Sequence, residues 1–272
     1  MKLINQEEKA GDKMENNARI INTNKIIMTG LMMALVTIAT MIFVIPVPFT
    51  NGYIHLGDSM IFLSVFILGY KYGAVAAGVG SALADIFVGY ANWAPWTLCI
   101  KGMMALLMGL AIEKSMNNKR NLVIISLITA GVWAAFNFIV NAVISTNLGS
   151  NPEQLYNGDI NNLTSLGEYV NKVQSQLMLF ALLIPVFLII ISIYFRKRDI
   201  LVIKGYQILA MTLAGLFMVF GYYIAGGIMY GNFAISAFSI PWNMVQFIIG
   251  FFIAMLITAA LQKTPVRKFF KY

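Results

Sequence analysis

Two charged side chains stand inside hydrophobic sequence: Asp85, ending AVAAGVGSALAD (74–85), and Lys101, within TLCIKGMMALLMG (97–109). A charge in such a setting is expensive and needs a partner or a task. Further polar and aromatic groups come in short clusters. Tyr53, His55 and Asp58 lie in YIHLGDS (53–59), and Asn92, Trp93 and Trp96 in YANWAPW (90–96). Tyr223, Asn232, Asn243 and Gln246 follow near the end of the chain. This inventory is suited to binding rather than to reaction. His55 and Cys99 are the single histidine and cysteine, and there is no HExxH, no nucleophile–base pair and no paired intramembrane acids. An enzyme, a metal site or a cofactor is therefore not expected. GxxxxGK[ST] is absent too, so the chain is not expected to hydrolyse ATP itself. Aromatic faces and amide edges together suit a flat heteroaromatic ligand.

The elements that must position these groups are membrane helices. Hydrophobic residues make up 59% of the 272 and charged residues 11%, with a mean hydropathy of +0.77. A hydrocarbon core of ~30 Å takes ~20 residues of helix, and apolar runs without alternation choose helices over a barrel. Eight spans are predicted: 26–45, 56–70, 72–90, 95–112, 122–145, 177–195, 206–230 and 236–261. The fold class is an all-α polytopic bundle, preceded by a polar tail over 1–24 and interrupted by a long polar connection over 146–176. The third span carries three stripes of small residues, Gly73/Ala77/Ser81/Asp85, Ala74/Gly78/Ala82 and Ala76/Gly80/Ala84. A helix of this kind is crowded on several sides. In the first span Gly30 and Ala34 form a small-xxx-small pair, suited to packing inside the bundle or to docking a partner helix.

Loop charge sets the orientation. Lys and Arg concentrate in 1–25, at Lys71, in 114–120, in 196–204 and after 262. The alternate loops 46–56, 91–94 and 231–235 have none, and 146–176 has only Lys172. The net charge of +8 thus records topology, with both termini cytoplasmic, rather than affinity for nucleic acid. In this frame Asp85 lies ~7 Å and Lys101 ~9 Å below the outer surface on adjacent helices. They are expected to pair. The polar and aromatic groups, with Tyr222, Tyr230, Asn137 and Asn141, collect on the same outer side.

The segments IPVPFTNGYIHLGDSMIFL (45–63), ILGYKYGAVAAGVGSALADIFVGYANWAPWTLCIKGMM (67–104), GYYIAGGIMYGN (221–232) and SIPWNMVQ (239–246) carry a resemblance. They resemble the substrate-binding S component of energy-coupling factor (ECF) vitamin transporters, of the riboflavin type. The resemblance implies a plasma-membrane protein that captures a vitamin or vitamin precursor from outside. It implies docking on a transmembrane coupling subunit driven by two ATP-binding subunits, with Gly30 and Ala34 as the docking pair. Riboflavin, a pyrimidine precursor of thiamine and a pyridoxine-like compound all fit the expected lining. S components usually have six spans, so 25–120 and 205–262 read as the core and 121–204 as an inserted helical hairpin within one transmembrane domain. A self-sufficient secondary transporter is the competing reading. It would show internal repeats or paired broken helices, which the sequence lacks, and co-purification with ATPase subunits separates the two.

The alternation of loop charge generates a test of topology. A cysteine placed at Gly158 is expected to label from outside the cell, and one at Asn118 only after permeabilisation. Labelling of both from one side overturns the eight-span arrangement.

Overall fold

The small-residue helix is the hub of the bundle. In the computed structural model, which describes residues 23–48, 50, 52–115, 119–150, 152–155, 162–196 and 202–272, each of its three stripes receives a different neighbour. A Cβ at Gly73 would stand 3.1 Å from the Cα of Val65, one at Gly78 2.7 Å from the carbonyl of Leu98, and one at Gly80 2.7 Å from the carbonyl of Met33. The Thr37 hydroxyl also donates to the Gly80 carbonyl at 2.8 Å. Backbones this close leave no room for larger side chains.

The helices are α1 (Thr23–Ile42), α2 (Gly57–Phe87), α3 (Ala94–Ser115), α4 (Lys119–Ser150) and α5 (Leu163–Arg196). They continue with α6 (Val202–Tyr230), a short α7 (Phe233–Ala237) and α8 (Ile240–Leu261). Seven helical segments among the described residues are long and apolar enough to cross a membrane, α7 and α8 counting together. The expected second and third spans both fall within α2. Gly69 breaks it, with φ +77° and ψ 178°. This is a backbone conformation almost confined to glycine. The chain reverses there: the Ser64 hydroxyl reaches the Gly73 carbonyl at 3.5 Å, a separation that a continuous helix cannot give over nine residues. The first arm, 57–68, is only about 18 Å long. α1 runs alongside the second arm, with Lys25 over the Tyr72 ring at one end and Val36 against Gly80 further along.

Two departures from the sequence reading concern loops. Residues 45–54 include an antiparallel hairpin, β1 (Ile45–Val47) with β2 (Gly52–Ile54), in the register Ile45 to Ile54, Pro46 to Tyr53 and Val47 to Gly52. A two-stranded ribbon is marginal alone; this one buries Val47 and Ile54 on the bundle. The connection 146–176 is mostly helix, because α4 extends to Ser150 and α5 begins at Leu163. Leu166, Val170, Val173 and Leu177 are buried at helical spacing, so the polar residues between them mark the exposed face of an amphipathic helix rather than a loop. The labelling positions Gly158 and Asn118 and residues 1–22 lie outside the described residues.

At the end of the bundle away from the hairpin, residues 265–272 fold back on the Gly69 reversal. The amides of Lys271 and Tyr272 donate to the Phe66 carbonyl at 2.8 and 3.2 Å, and Glu113 accepts from Lys271 Nζ and the Tyr272 hydroxyl.

Gly69→Ala is expected to destabilise the protein by ~1–3 kcal/mol through backbone strain, plus a clash with the Lys271 side chain 2.5 Å from the new Cβ. Thermal midpoints in detergent check this. Deleting residues 271–272 from Gly69→Ala is expected to relieve the clash and leave the strain. Full recovery on deletion would show that the reversal does not need glycine.

Candidate functional site

A small cavity of ≈ 40 Å³ lies beneath the β-hairpin. The hairpin and the residues that follow it supply Val47, Thr50, Gly52, Tyr53 and His55; α2 gives Asp85, the turn before α3 Trp93, and α3 Thr97. Tyr222 comes from α6, and Ser239, Asn243 and Gln246 come from the start of α8. Among the described residues, none that lines the cavity comes from α4 or α5.

Polar contacts run through this lining in two chains. Near the mouth, the Tyr53 hydroxyl donates to Asp85 Oδ1 at 2.6 Å, and the Tyr222 hydroxyl donates to Thr97 Oγ1 at 3.2 Å. Trp93 packs on Tyr222, ring centroids 5.8 Å apart. Deeper, Gln246 is a clamp: its Oε1 accepts from the His55 amide at 3.0 Å, and its Nε2 donates to Asp58 Oδ2 at 2.9 Å. Asp58 in turn forms an ion pair with Lys101, both side chains without solvent exposure. Lys101 Nζ also touches the Met218 sulfur at 2.8 Å and sits 5.3 Å from the Tyr222 ring centre.

His55 Nδ1 accepts from the Gly57 amide at 3.0 Å, which places the proton of the neutral ring on Nε2. Burial, reinforced by the Lys101 charge, lowers its pKa to about 3, so the ring is neutral at physiological pH. Tyr53 is shifted the opposite way, well above the usual phenol range, by burial and by the Asp85 carboxylate. It remains a donor.

The structure corrects the expected ion pair. Lys101 pairs with Asp58, not Asp85. The reason lies in the turn between the helices: α2 ends at Phe87, just after Asp85, whereas α3 begins at Ala94, well before Lys101. Thr97, one turn above Lys101, therefore stands at the level of Asp85. Of the other expected site residues, Tyr53, His55, Asp85, Trp93, Asn243 and Gln246 line the cavity, while Asp58 and Lys101 lie beneath it. Asn92 is exposed in the turn, and Trp96 packs on the core away from the lining. Tyr223 packs on Phe136 and Phe233; its neighbour Tyr222, one helical step round, takes the cavity position. Asn232 caps α7, its side chain accepting from the amides of Ala234 and Ile235. Asn137 and Asn141 donate to carbonyls one turn back in α4. Thr97 and Ser239 are additions, as are Val47, Thr50 and Gly52 of the hairpin, and Tyr222, expected on the outer side but not among the site residues, joins the lining. Gly30 and Ala34 lie on the exposed face of α1, and a Cβ at Gly30 would meet nothing within 4 Å.

A family model described as "ECF-type riboflavin transporter, S component" matches residues 20–195. A protein of Pyrococcus woesei, named "Uncharacterized protein in gap 3'region", is 34% identical over 122 residues, 45% of this chain and 80% of that protein. No solved structure matches the chain.

The corrected pairing makes a prediction of its own. Asp58→Asn or Lys101→Met alone leaves a buried charge unpaired and is expected to cost ~3–5 kcal/mol; the double substitution is expected to recover much of that loss. Asp85→Asn combined with Lys101→Met is expected to recover nothing. Thermal midpoints of the four variants decide the partner, and rescue by Asp85→Asn in place of Asp58→Asn would reverse the assignment.

Proposed function

The chain belongs to the family of ECF-type riboflavin transporter S components, and from that premise we propose that it captures a riboflavin-like vitamin, or a vitamin precursor with a flat heteroaromatic ring, in the cavity beneath the β-hairpin. The family is one of transporter subunits, not enzymes. The observation that carries the reading is the lining itself: Trp93, Tyr222 and Tyr53 supply faces, and Asp85, His55, Asn243, Ser239 and Gln246 supply an edge of hydrogen-bonding groups.

The finer topology belongs to this proposal. The two arms of α2 count as separate crossings, which makes eight, and their reversal at Gly69 supports it. The hairpin end faces outside and both termini face the cytoplasm of a cell-membrane protein. In support, Lys25, Lys71, Lys268 and Lys271 gather around one groove at the opposite end, as expected of a cytoplasmic face. Residues 25–120 and 205–262 form the binding core, with 121–204 an inserted hairpin; the absence of α4 and α5 from the lining favours this division. Uptake requires the transmembrane coupling subunit and two ATP-binding subunits of the energy-coupling factor. Gly30 and Ala34 dock the chain on the coupling subunit, a role suited to their exposure on an otherwise large-residue apolar face that includes Ile27, Leu31 and Ile38.

Native mass spectrometry of the purified protein is expected to retain a vitamin-sized ligand. Titration with riboflavin, the thiamine pyrimidine and pyridoxine is expected to give tight binding to one, lost in Tyr222→Ala. Gly30→Leu with Ala34→Trp is expected to abolish uptake by cells expressing the whole transporter while binding to the isolated chain persists. Loss of binding in that variant would place the pair in the ligand site instead, and no binding of any of the three compounds would overturn the capture reading.

A further inference from the structure

Among the described residues that line the cavity Asp85 is the only carboxylate, and it is 3% exposed. One of its oxygens is engaged: Oδ1 accepts the Tyr53 hydroxyl at 2.6 Å, the short geometry of a charge-assisted bond to an ionised acceptor. Oδ2 is buried and has no hydrogen-bond partner among the described residues. A buried acceptor left unpaired costs free energy, more so when charged. The cation that could have neutralised it, Lys101, is committed to Asp58. The neighbouring Thr97 hydroxyl accepts from Tyr222 and has its own proton to share with the Asp85 carboxylate, which leaves that carboxylate further acceptor capacity. The cavity is thus lined by a carboxylate with acceptor capacity to spare, held in place by Tyr53 and sharing that lining with Trp93 and Tyr222.

We propose that Asp85 Oδ2 is the specificity-determining acceptor of the site, and that the captured ligand presents to it a ring N–H or amino group. This rests on the capture reading above and narrows it. The ligand is a nitrogen heterocycle with a donor edge, and a ligand whose buried edge offers only acceptors is excluded, since it would set lone pairs against a carboxylate. Such discrimination is large, because a wrong edge leaves buried polar groups facing one another unpaired.

The test uses riboflavin, whose ring has an imide N–H, and its N3-methyl derivative, with binding read by quenching of flavin fluorescence. On the wild-type protein the methyl derivative is expected to bind roughly 10- to 100-fold more weakly, the range of a hydrogen bond to a charged group. Asp85→Asn keeps the shape. Because the Tyr53 hydroxyl holds the amide oxygen, the NH2 group takes the place of Oδ2, so a donor now faces the ligand's donor. Riboflavin is expected to lose a similar factor, and the methyl derivative to lose no more than it did on the wild type. The wild-type comparison needs no variant and stands even if Asp85→Asn folds poorly, which its thermal midpoint reveals. Riboflavin binding that ignores both N-methylation and Asp85→Asn overturns the inference alone, and so do losses that simply multiply. Failure of riboflavin to bind the wild type at all overturns the capture of a riboflavin-like ring and this inference with it.

Discussion

An ion pair without solvent exposure, Asp58 with Lys101, fixes the relations among the elements that carry the cavity. The desolvation of two charges is repaid only when geometry and additional hydrogen bonds are good. Here the first arm of α2 contributes the acid, α3 the base, α8 an amide to the acid and α6 a sulfur to the base. Four elements are thereby held at one point, directly beneath the cavity floor. Gln246 extends the hold upward, because the amide that donates to Asp58 also accepts from the His55 backbone. The position of a hairpin too short to be stable alone is thus set by the same side chain that completes the charge pair.

Such a pair requires that the backbones come close, and the second arm of α2 makes this possible. Its three stripes of small residues admit the first arm, α3 and α1 to near-contact distances. Gly69 allows the two arms to lie against one another, so that Asp58 and Asp85, far apart in sequence, end at the same end of the bundle. Close approach and charge pairing are therefore one design seen from two sides. The small residues bring Lys101 within reach of Asp58, and the pair penalises any sliding of α3 along α2 that would separate them.

Much of this was legible in the sequence. The apolar runs located the helices, the three stripes forecast a helix crowded on several sides, and part of the cluster of amides and aromatics lines one cavity. What escaped had physical reasons. Periodicity registers polarity per residue but not where a helix stops, and an error of a few residues in the turn after Phe87 moved Asp85 by a turn relative to Lys101. Adjacent identical residues are equally ambiguous: Tyr222 and Tyr223 differ by a rotation of ~100° about the helix axis, and only packing decides which one faces the cavity. The polar stretch before residue 177 hid a helical stripe at Leu166, Val170 and Val173, since surface residues outnumber buried ones there. Asn232 shows the opposite confusion. A polar residue at a span boundary serves equally as ligand contact or helix cap, and this one caps.

The family match and the cavity do not cover the same residues, and the difference bears on how the site was assembled. The match ends at residue 195, whereas Tyr222, Ser239, Asn243 and Gln246 lie beyond it. The cavity is therefore composite: the hairpin and the turn joining α2 to α3 bring its mouth from inside the matched region, and α6 and α8 bring one wall and the floor from outside. The two parts are joined by Gln246 to His55 and Asp58, and by Tyr222 to Thr97. Each joint is a hydrogen bond between buried or half-buried groups, where an unmade partner costs more than the bond itself returns. Substituting either side alone is thereby penalised. The hydrogen-bonding character of the lining is consequently a property of both parts together, the α6 and α8 contacts as much as the matched region.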